Sequence, residues 1–150
     1  MSTTALRLSL PTSTTQEGPR FQGDSRQSVV EYDYQRDDGS TEWSAVVFEE
    51  VLQFEFRPAP CCTAEDVVCA TEVRVQAKSS RLSTVLQRWQ AAVGWQEWQQ
   101  KQGGVARYKH FTMYFDDAGC VDVIAATCRP QPRARPPWPP PGSPPGPPSP

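Results

Sequence analysis

Residues 108–127 (YKHFTMYFDDAGCVDVIAAT) contain two segments in which every second residue is apolar, separated by an acidic turn that ends in glycine. Such period-two spacing on both sides of an Asp/Gly turn is typical of a β-hairpin. The apolar side chains that would share one face are Phe111, Met113, Phe115, Val121, Val123 and Ala125. This hairpin would anchor a core and place the adjacent carboxylates of Asp116 and Asp117 at one rim.

Composition divides the chain into three parts. Residues 1–30 are mostly Ser, Thr, Gln and Gly, and we predict a flexible leader there. Residues 31–127 are dense enough in Val, Phe, Trp and Tyr to form one domain with a single core. Twelve of the 16 prolines lie in residues 128–150. Because proline lacks the backbone donor that helices and sheets use, we predict a disordered proline-rich tail.

A helix is predicted over residues 80–93, with Ser79 or Ser80 as its N-terminal cap. The apolar positions that recur at helical spacing are Leu82, Val85, Leu86, Trp89 and Val93. The rest of residues 31–127 has strand-like patterns. We therefore expect an α+β fold, an antiparallel sheet of five or six strands with this amphipathic helix packed on one face.

Residues 41–57 are rich in aromatic and β-branched residues, which favour strands. Glu49 and Glu50 interrupt the pattern and predict a bulge or a tight turn. Beyond them the alternation predicts two faces, one with Leu52, Phe54 and Phe56 and the other with Val51, Gln53 and Glu55.

Charge is unevenly distributed along the chain. Residues 31–127 hold 15 acidic and nine basic residues, a net charge of −6, whereas the whole chain carries −2. An acidic domain argues against non-specific nucleic-acid binding, which requires Lys and Arg to neutralise phosphates. It is compatible with a basic protein partner, although mild acidity also serves solubility alone.

Five cysteines occur without regular spacing, and the first residues lack the charged and apolar regions of a secretory signal. No segment approaches the roughly 18 apolar residues of a membrane span. We expect a cytoplasmic protein with free thiols and no membrane association. Buried cysteines, notably Cys69 and Cys120, would act as small apolar side chains.

No catalytic residue set is evident, and we predict that the protein is not an enzyme. His110 is the only histidine, and no nucleophile elbow of the G-x-S-x-G type is present. We expect His110 to face solvent from a strand. Cys61, Cys62, Cys69 and His110 lack the paired spacing of a zinc site, and no cofactor or metal is predicted.

Asp116 and Asp117, together with Asp122, could chelate a cation, but the spacing of a calcium loop is missing. Aspartates at a hairpin turn also have a conformational explanation. Trp95 and Trp98 follow Gly94 in a Gln-rich segment. They would serve either as anchors of a protein interface or as cover for the edge of the sheet.

The order of these motifs resembles a family of small, mostly uncharacterised bacterial proteins of the actinobacterial type. The matching residues are Trp43, Val46, Phe48, Val51, Phe54, Phe56, Ser79, Leu82, Tyr114, Phe115, Asp116, Asp117, Gly119, Cys120, Val123, Ile124 and Ala125. Some similar small acidic α+β proteins are immunity partners of secreted toxins, so the resemblance implies such a role. The leader and the proline-rich tail depart from that family's compact form.

The leading hypothesis is therefore a non-catalytic binding protein, of the immunity type, with a basic protein partner. Its contact residues would be Glu49, Glu50, Trp95, Trp98, Asp116 and Asp117. One alternative is a small metal-dependent hydrolase that uses Asp116, Asp117 and His110. Another is an adaptor whose tail presents PxxP spacings. The oligomeric state stays open.

Overall fold

The computed structural model describes residues 3–13, 15, 18–24, 26–64, 66, 71–92, 94, 96, 105–116 and 118–131. Within these residues the chain forms seven strands and one α-helix. The strands are β1 (Thr3–Arg7), β2 (Arg20–Gly23), β3 (Gln27–Gln35), β4 (Thr41–Pro58), β5 (Glu72–Gln76), β6 (Lys109–Phe115) and β7 (Gly119–Gln131), and the helix is α1 (Ser80–Gln90). Short 3₁₀ turns occupy Ala59–Cys61 and Val105–Arg107.

The seven strands form a single sheet in the order β1-β5-β6-β7-β4-β3-β2, with antiparallel pairing throughout. The predicted α+β fold is confirmed, but the predicted count of five or six strands is wrong. β1, β2 and the first residues of β3 lie in the segment expected to be a flexible leader. β1 pairs with β5, which is distant in sequence, so local alternation could not reveal this pairing.

The N-terminal segment also contributes to the core. Leu8 and Leu10 are buried against the same apolar cluster as the hairpin. The Tyr32 hydroxyl donates to the carbonyl of Leu10 over 2.7 Å, and the Thr12 hydroxyl donates to the carbonyl of Tyr114 over 2.5 Å. The segment between β1 and β2 is thus tied to strands on both sides of the sheet's centre.

The sheet is strongly curved. The rings of Tyr32 on β3 and Phe115 on β6 lie 5.6 Å apart between centroids, although β7 and β4 separate these strands in the sheet. Three inter-strand spacings of a flat sheet would amount to about 14 Å. Because of this curvature, side chains on one face of the sheet contact each other and form the main buried cluster. Helix α1 packs on the opposite face.

The predicted hairpin is present as β6 and β7, with Phe115 opposite Gly119. Its expected apolar face is confirmed, since all of Phe111, Met113, Phe115, Val121, Val123 and Ala125 belong to the main buried cluster. Gly119 has a φ of +135°, and a Cβ atom built on it would lie 2.0 Å from the carbonyl oxygen of Arg57. Only glycine allows the turn to approach β4 this closely.

Helix α1 begins as predicted, because Ser79 is the cap and its hydroxyl accepts from the backbone N–H of Leu82. It ends at Gln90, before the predicted Val93, which lies outside the described residues. Leu82 and Val85 are buried against the sheet. The members of this second apolar cluster are Leu82, Val85, Tyr108 and Ile124, with Leu52, Leu86, Trp89 and Ala126 packed around them.

A bulge interrupts β4 near the predicted position. Glu50 has a φ of 54°, and the pairing with β7 shifts between Val51 and Gln53. The extra residue changes the facing of its neighbours: Val51 packs on the main cluster, and Leu52 packs beneath the helix. The expectation that Leu52 shares a face with Phe54 is therefore wrong, because a bulge breaks strict alternation.

Strand β7 continues to Gln131 and pairs there with Ala45. The first four residues of the predicted tail are thus part of the sheet, and residues 132–150 lie outside the described residues. In the part of the chain that the structure describes, no helix is long and apolar enough to cross a membrane.

We expect Leu82→Ala to lower the free energy of unfolding by about 2–5 kcal/mol, because it leaves a cavity between α1 and the sheet. Ser83→Ala, at an exposed position of the same helix, should change it by less than about 0.5 kcal/mol. Urea denaturation of both variants checks this prediction. Equal stability of the two variants would contradict the packing of α1.

Gly119→Ala should destabilise the fold more than Gly39→Ala. Both glycines have a positive φ, but a Cβ atom at Gly39 would meet nothing within 4 Å. In the Gly39 variant, the free energy of unfolding should therefore fall only by the cost of holding alanine at a positive φ, about 1–2 kcal/mol. Thermal unfolding of the two variants measures the difference, and a Gly119 variant as stable as the Gly39 variant would argue against the close approach to β4.

Candidate functional site

The face of the sheet below α1 carries a row of polar side chains on four neighbouring strands. Arg74 of β5 lies opposite Thr112 of β6, Thr112 lies opposite Asp122 of β7, and Asp122 lies opposite Glu55 of β4. Directly opposite residues of an antiparallel sheet project to the same side. Thr112 and Asp122 are 0% and 2% exposed, so the centre of this row is buried, whereas Arg74 and Glu55 at its two ends are partly exposed.

His110 precedes Thr112 by two residues on β6, so it lies on the same face of the sheet, opposite Ile124 of β7. It is 5% exposed, so the prediction that it faces solvent is wrong. Its Nε2 atom lies 2.7 Å from Oδ1 of Asp122, and its Nδ1 atom lies 2.9 Å from the hydroxyl oxygen of Ser79. The imidazole thus joins the buried carboxylate to the cap of the helix.

Asp122 uses both of its carboxylate oxygens. Oδ1 accepts from the hydroxyl of Thr112 over 3.0 Å and also contacts His110, while Oδ2 accepts from Nε of Arg57 over 2.7 Å. Burial opposes the charged form, but the hydrogen bonds from His110 and Arg57 outweigh it and lower the pKa of Asp122 to about 2. The carboxylate is therefore charged and fixed in orientation.

A second carboxylate extends the network toward the surface. Asp66 accepts from the guanidinium of Arg57 over 2.7 Å and from that of Arg74 over 3.3 Å. It also accepts from the backbone N–H and the hydroxyl of Thr63. The hydrogen bond from Arg57 holds the pKa of Asp66 well below its usual range, so Arg57 bridges two charged carboxylates.

These groups line a cavity of about 570 Å³, which we term the polar pocket. Its lining residues are Gln53, Glu55, Arg57, Thr63, Asp66, Arg74, Gln76, Lys78, Ser79, Ser80, Arg81, Thr84, Val85, Arg88, His110 and Asp122. Among these described residues, five side chains are Lys or Arg and three are carboxylates. The polar pocket is therefore cationic, although the domain around it is acidic.

The acidic residues predicted as a contact surface do not form one site. Glu49 pairs with Arg129 over 3.5 Å, and Glu50 pairs with Arg107. Asp116 is exposed in the hairpin turn, which adjoins Pro58 at the far end of β4. Glu49 and Glu50 thus lie at least eight residues of β4 away from Pro58 and the hairpin turn that holds Asp116. Each glutamate is also paired with an arginine of the same chain.

Asp117, Trp95 and Trp98 lie outside the described residues, so the structure does not place them. The alternative of a metal-dependent hydrolase requires Asp116 to approach His110. Asp116 lies six positions after His110 along the chain, or about 20 Å of extended backbone. Within the ranges that the structure describes, no group of three or more His, Cys, Asp or Glu side chains could hold a metal ion.

Sequence reasoning missed most of the polar pocket. No motif in the sequence singles out Arg57, the helical pattern identifies Ser79 only as a cap, and the acidic residues group Asp122 only with Asp116 and Asp117. One signal was present: a hairpin with Phe115 opposite Gly119 necessarily places Thr112 opposite Asp122. That register puts a histidine, a threonine and an aspartate on one face of two buried strands.

Two cysteines lie beside Arg57. Cys120 is opposite Arg57 in the β4–β7 register, and the thiol of Cys62 donates to the carbonyl of Arg57 over 3.8 Å. Cys120 is buried, as predicted, and Cys69 lies outside the described residues. Burial raises the pKa of Cys128 to about 12. The pKa of Cys120 is also raised, mainly by burial and to a lesser extent by its contact with Cys62. The described cysteines Cys61, Cys62, Cys120 and Cys128 are free thiols, and the two with raised pKa values stay protonated at neutral pH.

Comparisons of the chain with protein-family models, with curated proteins and with solved structures find no match. The case for a function therefore depends on the geometry of the polar pocket.

The free energy of unfolding should fall as the pH decreases from about 4 to 2. The folded pKa of Asp122 is depressed, so its contribution is complete above the unfolded value near 3.8 and is lost as the pH falls through about 2. We expect the loss to be about 2 kcal/mol. Urea denaturation at several pH values measures it.

Asp122→Asn should make this pH dependence shallower because it removes one titrating carboxylate. The slope that remains should come from Asp66, whose pKa is also depressed. Leu82→Ala is the matched control, since it should lower stability at every pH without changing the slope. Parallel curves for wild type and Asp122→Asn would contradict the assignment.

Proposed function

We propose that the protein is a binding protein that holds a small anionic ligand, bearing a carboxylate or phosphate group, in the polar pocket. The observation that carries this proposal is the excess of cations over carboxylates in the pocket lining. A volume of about 570 Å³ falls in the range typical of small-molecule sites.

The inner cations of the polar pocket already have carboxylate partners. Arg57 pairs with Asp66 and Asp122, and Arg81 pairs with Glu55. Arg74 also contacts Asp66. These pairs leave little uncompensated charge at the base of the pocket, so they define its shape and polarity more than its net charge.

The outer cations supply the excess charge. Lys78 and Arg88 are exposed and line the pocket, and neither forms an ion pair with a carboxylate in the described part of the chain. The start of α1 lies at the same pocket, where the helix dipole also favours a negative charge. An anion seated between Lys78, Arg88 and the start of α1 would complete this arrangement.

The basic protein partner expected from the acidic composition is a separate proposal. It rests on the net charge of residues 31–127 and on the resemblance to immunity-type proteins. Its support from Glu49 and Glu50 is reduced because both side chains are engaged in internal ion pairs. The polar pocket instead favours a partner or ligand of negative charge.

Citrate and inorganic phosphate should bind wild-type protein and shift the backbone NMR signals of Lys78, Ser79 and Arg81. The double variant Lys78→Gln/Arg88→Gln should weaken binding about 5- to 10-fold, because exposed charges contribute modestly. Lys109→Gln, which removes an exposed charge outside the polar pocket, should leave the affinity unchanged. Equal weakening by Lys109→Gln, or signal shifts confined to other surfaces, would refute a specific anion site.

A further inference from the structure

Ser79, His110 and Asp122 form a continuous line of side chains that ends at the polar pocket. The distances are 2.9 Å from the Ser79 hydroxyl oxygen to Nδ1 of His110 and 2.7 Å from Nε2 of His110 to Oδ1 of Asp122. His110 and Asp122 are buried, whereas Ser79 is partly exposed and lines the cavity. A hydroxyl, an imidazole and a carboxylate in this order are the components of an activated serine nucleophile.

The positions of the protons follow from the chemistry of the partners. The charged carboxylate of Asp122 can only accept, so Nε2 of His110 carries a proton and donates it. In the neutral imidazole Nδ1 is then an acceptor, and the hydroxyl of Ser79 donates to it. The Ser79 oxygen also accepts from the N–H of Leu82 over 3.0 Å, which leaves one lone pair free to attack.

Asp122 acts as a positioning residue for His110. Arg57 and Thr112 hold its two oxygens from other directions, so the carboxylate cannot rotate away from the imidazole. This arrangement fixes which ring nitrogen faces Ser79 and stabilises the imidazolium that forms when His110 takes a proton. The contacts come from the two strands that flank β7, namely β4 and β6, which makes the support rigid.

The start of α1 supplies donors for a developing negative charge. The first N–H groups of a helix have no acceptor within the helix, and here the N–H of Leu82 is used by Ser79 itself. The N–H groups of Ser80 and Arg81 follow Ser79 directly in the chain and would be the donors to such a charge. Backbone donors beside the reacting oxygen are the usual means of stabilising an oxyanion.

We propose that the polar pocket is a hydrolytic site in which Ser79 is the nucleophile and His110 the general base, with carboxylate-bearing esters as the substrate class. The preference for an anionic acyl group rests on the proposed anion binding by Lys78 and Arg88. The serine chemistry itself rests only on the line from Ser79 to Asp122.

The reaction would proceed in two balanced steps. The Ser79 oxygen bonds to the ester carbonyl carbon while its proton passes to Nδ1 of His110. The bond to the leaving alcohol then breaks, and His110 returns the proton to that alcohol. Water attacks the acylated serine, gives its proton to His110, and releases the carboxylic acid as His110 reprotonates Ser79.

The first test uses diisopropyl fluorophosphate, a neutral reagent whose phosphorus is attacked by an activated serine with loss of fluoride. Intact-mass measurement of the full chain should show one phosphoryl adduct, located at Ser79. Ser79→Asn keeps a residue that caps helices well but removes the hydroxyl, so it should abolish the adduct. Ser83→Ala, an exposed serine on the same helix, should be labelled at the wild-type rate.

His110→Gln should slow labelling at least about 100-fold, the usual effect of losing a general base. Absence of an adduct in wild type, or an adduct that persists in Ser79→Asn, would overturn the proposal. Because Ser79→Asn keeps a cap, a folded variant that fails to react identifies a chemical role and not a structural one.

A second measurement separates serine chemistry from anion binding. Wild type should hydrolyse the 4-nitrophenyl monoester of glutarate with a lower KM than neutral 4-nitrophenyl butyrate, and Lys78→Gln/Arg88→Gln should raise KM only for the anionic ester. Equal KM values for the two esters, together with labelling of Ser79, would overturn the anionic substrate class but would still support Ser79 as the nucleophile. No turnover of either ester by a protein that binds citrate would refute hydrolysis while supporting the binding function.

Discussion

Asp122 carries a charge inside the sheet, with 2% of its surface exposed. Removing a carboxylate from water costs several kcal/mol unless partners replace the lost hydration. Here Thr112, His110 and Arg57 provide those partners from β6 and β4. The polar side of the sheet is organised around this requirement, because each partner must stand at a fixed position in the register.

The same requirement extends to the helix. His110 contacts Asp122 through one nitrogen and Ser79 through the other, so the start of α1 is tied to the buried charge. A helix cap contributes about 1 kcal/mol, whereas each buried apolar side chain contributes about 1.5–3 kcal/mol. Packing of Leu82 and Val85 therefore holds α1 on the sheet, and Ser79 sets where the helix begins relative to the polar pocket.

Net charge and local charge lead to opposite expectations about partners. Residues 31–127 are acidic as a whole, which suggested a basic partner. The fold pairs Glu49 and Glu50 with arginines and places Lys78 and Arg88 at one cavity. Composition averages over the surface, and recognition depends on which charges share a site and lack compensation.

Local sequence patterns determined the β6–β7 hairpin, the amphipathic character of α1, its serine cap at position 79 or 80 and the interruption of β4 at Glu49 and Glu50. Each of these features depends on neighbours a few residues apart. The three-dimensional structure alone placed β1 beside β5 and buried Leu8 and Leu10. It also brought Ser79, Arg57, Asp66 and His110 to Asp122. Those contacts join residues nine to 65 positions apart, and they depend on sheet order and curvature, which alternation in a single strand does not encode.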